Sequence, residues 1–480
     1  MARDDWEVII GLEVHAQLLT DSKIFCSCST AFGAEPNSQT CPTCLGMPGT
    51  LPSLNRKAVE YAIRAGLATG CEIRRESVFA RKNYFYPDLP KGYQISQADL
   101  PICVGGKLTI GEPGAEREVG ITRIHLEEDA GKNTHDPEGG PSRVDLNRAG
   151  VPLIEIVGEP DLRSSDEAVD YLKGLRDIVV YLGVNDGNLE EGSFRCDANV
   201  SVRKVGETAL RNRVELKNIN SFRFVKQAIE YEIGRQIEVW EGGDQVVTET
   251  RLFDPQRGVT RAMRSKEEAQ DYRYFPEPDL LPLRLSEAWI EEIRGSLPEL
   301  PRAKARRFCD AYALSAYDAG VLVAEKAIAD WFELAVAAYG GSPKTVANWV
   351  INELLRLVKD SPEGIAATKI TPAKLAALLG LLDERKINAG SAKVILEEVH
   401  GSGAEPAEVM AAKGLEQVSD TAAIEAAVDK VIGASAEQVK RYQEGKKNLM
   451  GYFVGQVMRE LKGQGDPQAV TALIKAKLGE

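Results

Sequence analysis

The sequence predicts an α+β protein, and three observations carry that prediction. Short β-branched runs separated by Gly and Pro dominate residues 1–294, the pattern of strands joined by turns. From about Leu297 the composition turns rich in Ala, Leu, Lys and Glu, with apolar residues at helical spacing. The length of 480 residues exceeds a single domain at about 100–200 residues each. These observations divide the chain into a mixed α/β domain over 1–294, a helical bundle over 295–408 and a small all-α tail over 409–480.

The elements follow in order. Trp6-Glu-Val-Ile-Ile, Glu118-Val-Gly-Ile-Thr-Arg-Ile-His, Leu153-Ile-Glu-Ile-Val and Ala198-Asn-Val-Ser-Val-Arg read as strands. Ser165-Asp-Glu opens a helix with a Ser/Asp cap. Val225, Ile229, Ile233 and Ile237 recur at i, i+4 and predict a helix over 224–240. Pro276, Pro278 and Pro282 mark the end of the first domain. Amphipathic helices are expected over 345–358 and 372–382, and Gly401-Ser-Gly-Ala-Glu-Pro reads as a linker.

Composition narrows the function. No apolar run approaches the ~18 residues of a membrane span, and the N-terminus lacks the apolar stretch of a secretory signal, so a cytoplasmic chain without membrane contact is expected. The net charge of −13 argues against wholesale coating of nucleic acid but leaves local patches open. Residues 409–480 carry ten Lys/Arg against nine Asp/Glu, so the tail is the part least repelled by a polyanion.

Of eight cysteines, four crowd at Cys26, Cys28, Cys41 and Cys44, as C-x-C, twelve residues, then C-x-x-C. Thiolates spaced this way can close a tetrahedral Zn²⁺ site. With four sulfurs and no nearby His, such a site would be structural. The alternative is four reduced cysteines in a loop. Cys71, Cys103, Cys196 and Cys309 read as ordinary core or loop residues.

Acids form a second constellation. Glu13 and His15, in Gly11-Leu-Glu-Val-His15, share one face of a strand. His125-Leu-Glu-Glu-Asp-Ala-Gly-Lys132 carries three successive acids, among them Glu127 and Glu128. Asp197 and Glu215 stand in Gly192-Ser-Phe-Arg-Cys-Asp-Ala-Asn199 and Val214-Glu-Leu-Lys-Asn218. Carboxylates suit Mg²⁺, which commonly also binds substrate phosphates; any one of them alone reads better as solvated loop charge. Basic and aromatic residues interleave with two prolines from Arg81 to Gln97, which suits a rigid binding loop or an aromatic-packed turn. There is no Walker A, kinase-type or G-x-S-x-G motif, so any ATP chemistry lies outside those classes.

Together these segments resemble the B subunits of aspartyl/glutamyl-tRNA(Asn/Gln) amidotransferases. The resemblance includes Tyr84-Phe-Tyr-Pro-Asp-Leu-Pro-Lys-Gly-Tyr-Gln-Ile-Ser-Gln97, Asp145-Leu-Asn-Arg-Ala-Gly-Val-Pro-Leu-Ile-Glu-Ile-Val157, Arg273-Tyr-Phe-Pro-Glu-Pro-Asp-Leu280 and Asn448-Leu-Met-Gly-Tyr-Phe-Val-Gly455. It runs in order along the whole chain. It implies a cradle-like catalytic domain that uses ATP to activate the side-chain carboxylate of Glu or Asp misacylated on tRNA. Ammonia from a glutaminase A subunit then displaces phosphate, and a small C subunit completes a heterotrimer.

The resemblance implies Mg²⁺ ligands at Glu13, His15, Glu128, Asp197 and Glu215, with Glu127 adjacent. It implies an ammonia exit gated by Lys82 and Glu128. Lys91, Arg195 and Lys217 are candidates for contacts to ATP phosphate or the tRNA end. The cysteine quartet fits members that carry structural zinc. The tail resembles the family's tRNA-binding module, in which Lys440, Arg441, Lys446 and Lys447 would meet phosphates and Gly445, Gly451 and Gly455 would admit close backbone approach. Two other classes are weighed beside this one. A non-catalytic tRNA-binding scaffold has no use for clustered Mg²⁺ ligands. A stand-alone metallohydrolase lacks an H-E-x-x-H pattern.

Overall fold

A computed structural model describes residues 3–112, 114–136, 140–265, 272–361, 363–417, 421–461 and 465–479. The chain separates into two compact units, Met1–Leu300 and Pro301–Glu480. The α+β expectation holds: strands concentrate in the first unit, and the second is built of helices.

A ten-stranded sheet organises the first unit. Its middle runs Val214–Ile219, Phe194–Lys204, Trp6–Gln17, Pro152–Gly158 and Arg117–Glu128, all antiparallel neighbours. Phe194–Lys204 alternates over its first half as a half-buried strand does, whereas Pro152–Gly158 and the end of Arg117–Glu128 are buried on both faces. Ile10, Leu12, Val14, Ile154, Ile156, Ile124, Leu126, Ala198 and Val200 point to one side and are buried in a continuous core. The helices Arg56–Ala68, Ser165–Tyr181 and Phe222–Glu241 supply residues to that core. The opposite side carries the polar residues.

Local signals account for the helix ends. Ser221 caps Phe222–Glu241 by accepting the Phe224 N–H. The helix from Ser165 is capped one residue earlier than the sequence predicts. Ser164, in extended backbone, accepts the Glu167 N–H, and Ser165 lies inside the helix.

In the second unit, Phe308, Phe332, Val346, Leu354, Leu375, Leu379 and Ile395 are buried. Pro372–Asp383 forms as expected. The expected helix over 345–358 is interrupted: Pro343–Trp349 passes through a wider turn, Val350–Leu354, before Leu355–Val358. Ile424, Val428, Tyr442, Phe453, Val457, Val470 and Ile474 enclose a separate core toward the end of the chain. Among the described residues, no helix is long and apolar enough to cross a membrane.

Candidate functional site

Strand register builds the site. His125, Glu155, His15 and Arg195 are paired in sequence across four adjacent strands, so their side chains emerge in one row. Glu13 pairs with Asp197, two residues along the same face. Glu127 extends the row beyond His125. At the next strand the register slips, so that Lys217 and Asn218 together face Asp197. Asn218 takes a left-handed backbone at φ 65° to allow it. The bulge aims the Lys217 ammonium at the carboxylates of Asp197, 2.5 Å away, and Glu215, 3.0 Å away.

Two carboxylate–imidazole trios share Glu155. His15 Nε2 lies 3.4 Å from Glu155 Oε2 and 3.9 Å from Glu13 Oε1. His125 Nε2 lies 3.5 Å from the same Glu155 oxygen and 3.1 Å from Glu127 Oε1. In each trio, atoms able to ligate a metal lie within 4.8 Å of one another. His125 Nδ1 is buried without a hydrogen-bond partner among the described residues. The trio is formed through the other ring nitrogen, Nε2. The donor set, mostly carboxylate oxygen, fits a hard divalent cation such as Mg²⁺.

The charges are tuned by their neighbours. Burial and the charge of Glu155 raise the Glu13 carboxyl. Burial alone would raise Glu127, yet the Lys82 ammonium and the His125 hydrogen bond outweigh it and hold that carboxyl well below the usual range. Burial likewise opposes the Lys82 charge, but Glu127 and Glu155 raise the ammonium well above its ordinary value. Burial is the largest single effect on His15 and lowers it, but the hydrogen bond to Glu155 together with the charges of Glu155 and Glu127 raises it overall. The face therefore keeps anions and cations charged side by side, an arrangement frequent at functional sites.

The predicted residues do not all meet. Glu13 and His15 come together as expected. Asp197 and Glu215 sit beside them but are engaged by Lys217. Glu128 lies elsewhere, because neighbouring residues on a strand point to opposite faces. It accepts the Ile95 N–H at 2.8 Å and a hydrogen bond from Lys91. Glu128, expected beside Lys82, is therefore paired with Lys91, while Lys82 faces Glu127. The reason is register: Lys82 pairs with Gln94, and Gln94 and Ser96 both donate to Glu127, at 2.9 and 2.5 Å. Arg195 donates to Asp129 at 2.9 Å.

Sequence reasoning missed Glu155, His125 and Asp129 as site residues. Glu155 had a signal: it is the one charge in the apolar strand Pro152–Gly158, and a charge placed there must find partners.

The four cysteines converge as expected, with their sulfurs within 4.8 Å of one another. Zn–S bonds of about 2.3 Å set sulfur separations of about 3.8 Å in a tetrahedron, so a small contraction closes the site. The Cys41 N–H donates to Cys44 Sγ at 3.1 Å, and the buried Lys23 ammonium lies 3.6 Å from the same sulfur. Hydrogen bonding from Cys26 draws the Cys44 thiol down to about 4, while burial pushes Cys28 up to about 11. A thiolate already favoured at one corner fits a zinc-type ion, which takes its sulfurs deprotonated. Cys71, Cys103 and Cys196 are buried and Cys309 is partly exposed, all as free thiols.

In the tail, Lys440, Arg441, Lys446 and Lys447 are exposed. Gly445 takes φ 106°. Gly451 and Gly455 lie one turn apart on Met450–Glu460, and a β-carbon on either would meet nothing within 4 Å.

A sheet that presents carboxylates, imidazoles and cations on one face stands in the same unit as a four-cysteine loop, and a helical unit follows it in the chain. Two family models match in that arrangement: the "GatB/GatE catalytic domain" over residues 8–291 and the "GatB domain" over residues 330–478. The chain is 62% identical, over all of both chains, to the aspartyl/glutamyl-tRNA(Asn/Gln) amidotransferase B subunit of Anaeromyxobacter sp. (strain K). It is 59% identical over all of both chains to the Myxococcus xanthus protein of the same name. It is 59% identical to that of Syntrophotalea carbinolica, over 98% of each chain. The chain belongs to this family of amidotransferase B subunits.

Proposed function

We propose that this chain is the activating subunit of a glutamine-hydrolysing aminoacyl-tRNA amidotransferase. Its substrates are ATP and Glu-tRNA(Gln), Asp-tRNA(Asn) or both. A side-chain carboxylate oxygen attacks the γ-phosphorus, ADP leaves, and an acyl phosphate forms. Ammonia released from glutamine by a partner A subunit attacks the acyl carbon, phosphate leaves, and the amide is made on the tRNA. A small C subunit joins the heterotrimer, which works in the cytoplasm.

The observation that carries this reading is the pair of trios sharing Glu155 beside Lys82, Arg195 and Lys217. Transfer of phosphoryl to a carboxylate brings anions together, so positioning and charge compensation are the main demands. Glu13, His15, Glu155, His125 and Glu127 would hold Mg²⁺, with Asp197 and Glu215 within reach; when bound, the ion offsets phosphate charge. Lys217 and Arg195, each now on a carboxylate, can exchange that partner for phosphate oxygen. Lys82 keeps Glu127 ionised. Glu128 and Lys91 would form the ammonia exit, passing neutral NH₃ and retaining bulk water. Zinc, held by Cys26, Cys28, Cys41 and Cys44, has a structural part.

Residues 409–480 would bind tRNA. Lys440, Arg441, Lys446 and Lys447 supply phosphate contacts without base readout, so shape recognition is expected. Reconstitution with A and C subunits, Glu-tRNA(Gln), glutamine and Mg²⁺ tests the reading. Gln-tRNA(Gln) should form only when ATP is present. Tight tRNA binding without product, with partners of proven glutaminase activity, would overturn it in favour of a scaffold.

A further inference from the structure

The thiolate loop lies close to both members of the Lys91–Glu128 pair. Gly46, two residues beyond Cys44, packs on Lys91: a β-carbon at position 46 would stand 2.5 Å from Lys91 Cγ, 3.2 Å from its Cα and 3.3 Å from its Cβ. These atoms are the root of the side chain and cannot swing aside as a terminal ammonium can. Gly46 also holds φ 67°, in the left-handed region. On the other flank, a β-carbon at Gly150 would stand 3.6 Å from Cys44 Cβ, 3.5 Å from Lys23 Cδ and 3.9 Å from Glu128 Oε2. Only a glycine-thick gap therefore separates the loop from Glu128. Cys26, Cys44, Gly46, Lys91, Glu128 and Gly150 line one cavity.

Hydrogen bonds of Glu35, Asn37 and Gln39 tie the middle of the loop to residues 144–147, whereas the stretch that carries Gly46 is held by its own turns. Residues 26–50 contain no helix or strand, and the described backbone hydrogen bonds inside the loop are turns such as Leu45 N–H to Cys41 O and Met47 N–H to Pro42 O. An ion held by the four sulfurs would cross-link Cys26 and Cys28 to Cys41 and Cys44. The Lys91 side chain, by contrast, is only 9% exposed, and Glu128 only 3%, so their pairing depends on walls that stay in place.

We propose that the four-cysteine loop is a positioning device: closed on zinc, it holds Gly46 against the stem of Lys91 and thereby fixes the Lys91–Glu128 ion pair. Loss of the metal, by chelation or thiol oxidation, frees Lys91 and opens the cavity. Lys91 is then a group whose placement reports the state of a metal it does not touch. The inference concerns the pair's geometry and does not depend on the pair's part in the reaction.

A pulse of acetic anhydride, read by mass spectrometry at Lys91, tests it on the full chain. The purified protein should hold one zinc per chain and protect Lys91. Chelation should raise Lys91 labelling by about tenfold, the scale of a local opening, while hydrogen exchange in Phe194–Lys204 stays slow. Should chelation unfold the whole unit, Gly46→Ala decides the matter. That variant should retain zinc and slow exchange yet label readily at Lys91. Absence of zinc from the native protein, or a zinc-replete Gly46→Ala chain with Lys91 still protected, would overturn the proposal. So would a folded, zinc-free protein in which Lys91 labelling is unchanged.

Discussion

The carboxylate face and the cysteine loop both gather metal-type ligands, and they do so by opposite means. The face draws His125, Glu155, His15 and Arg195 from strands locked in register, so its geometry exists before any ligand arrives. The loop gathers four thiols from a stretch without regular structure, so an ion held by them would add the cross-link that its backbone lacks. A preformed face meets its ordering cost during folding and suits chemistry that needs groups held in place. A metal-closed loop suits support.

The comparison breaks most sharply at Glu155, which serves both trios. Glu155→Leu should lower ATP-dependent amidation by on the order of a thousandfold, several kcal/mol of lost charge compensation, with tRNA affinity within about twofold. An equal loss of both, measured by product formation and filter binding, would make Glu155 structural. Cys44→Ser should remove zinc and lower the melting temperature by roughly 5–10 °C; metal content and calorimetry read this out.

Acid sharpens the contrast on the face itself. The folded Glu127 carboxyl is held below its ordinary value of 4.5. Its contribution to stability is therefore present above that pH and is lost as pH falls through the lower, folded value. Glu127→Gln should remove this part of the acid sensitivity in metal-free denaturation curves. The smallest effect is expected in the tail: Lys446→Ala should weaken tRNA binding a few-fold and reduce the salt slope by about one.

Much of the site is legible in the sequence, because some of it is local. Glu13 and His15 are two apart in one strand, and the C-x-C and C-x-x-C pairs announce a sulfur cluster. The central strands and the helices at Ser165 and Phe222 follow from periodicity. What stays hidden is long-range pairing. His15 meets Glu155 only through the register of two strands 140 residues apart in the chain. Alternation implies that Glu127 and Glu128 diverge, but only the neighbouring strands decide which one faces the imidazoles. The partner of Glu128 differs from the expected one for the same reason: Lys82 and Lys91 sit in one basic–aromatic loop, and the pairing of Lys82 with Gln94 sends them to different carboxylates.

The proposed function requires the sheet face to activate a tRNA-borne carboxylate. The most direct test is single-turnover formation of Gln-tRNA(Gln) by the reconstituted heterotrimer carrying Glu155→Gln, which keeps the size of the side chain and removes its charge. The prediction is bound tRNA, intact glutaminase activity and no ATP-dependent product. Product at the unmodified rate would contradict the account and move the chemistry off this face.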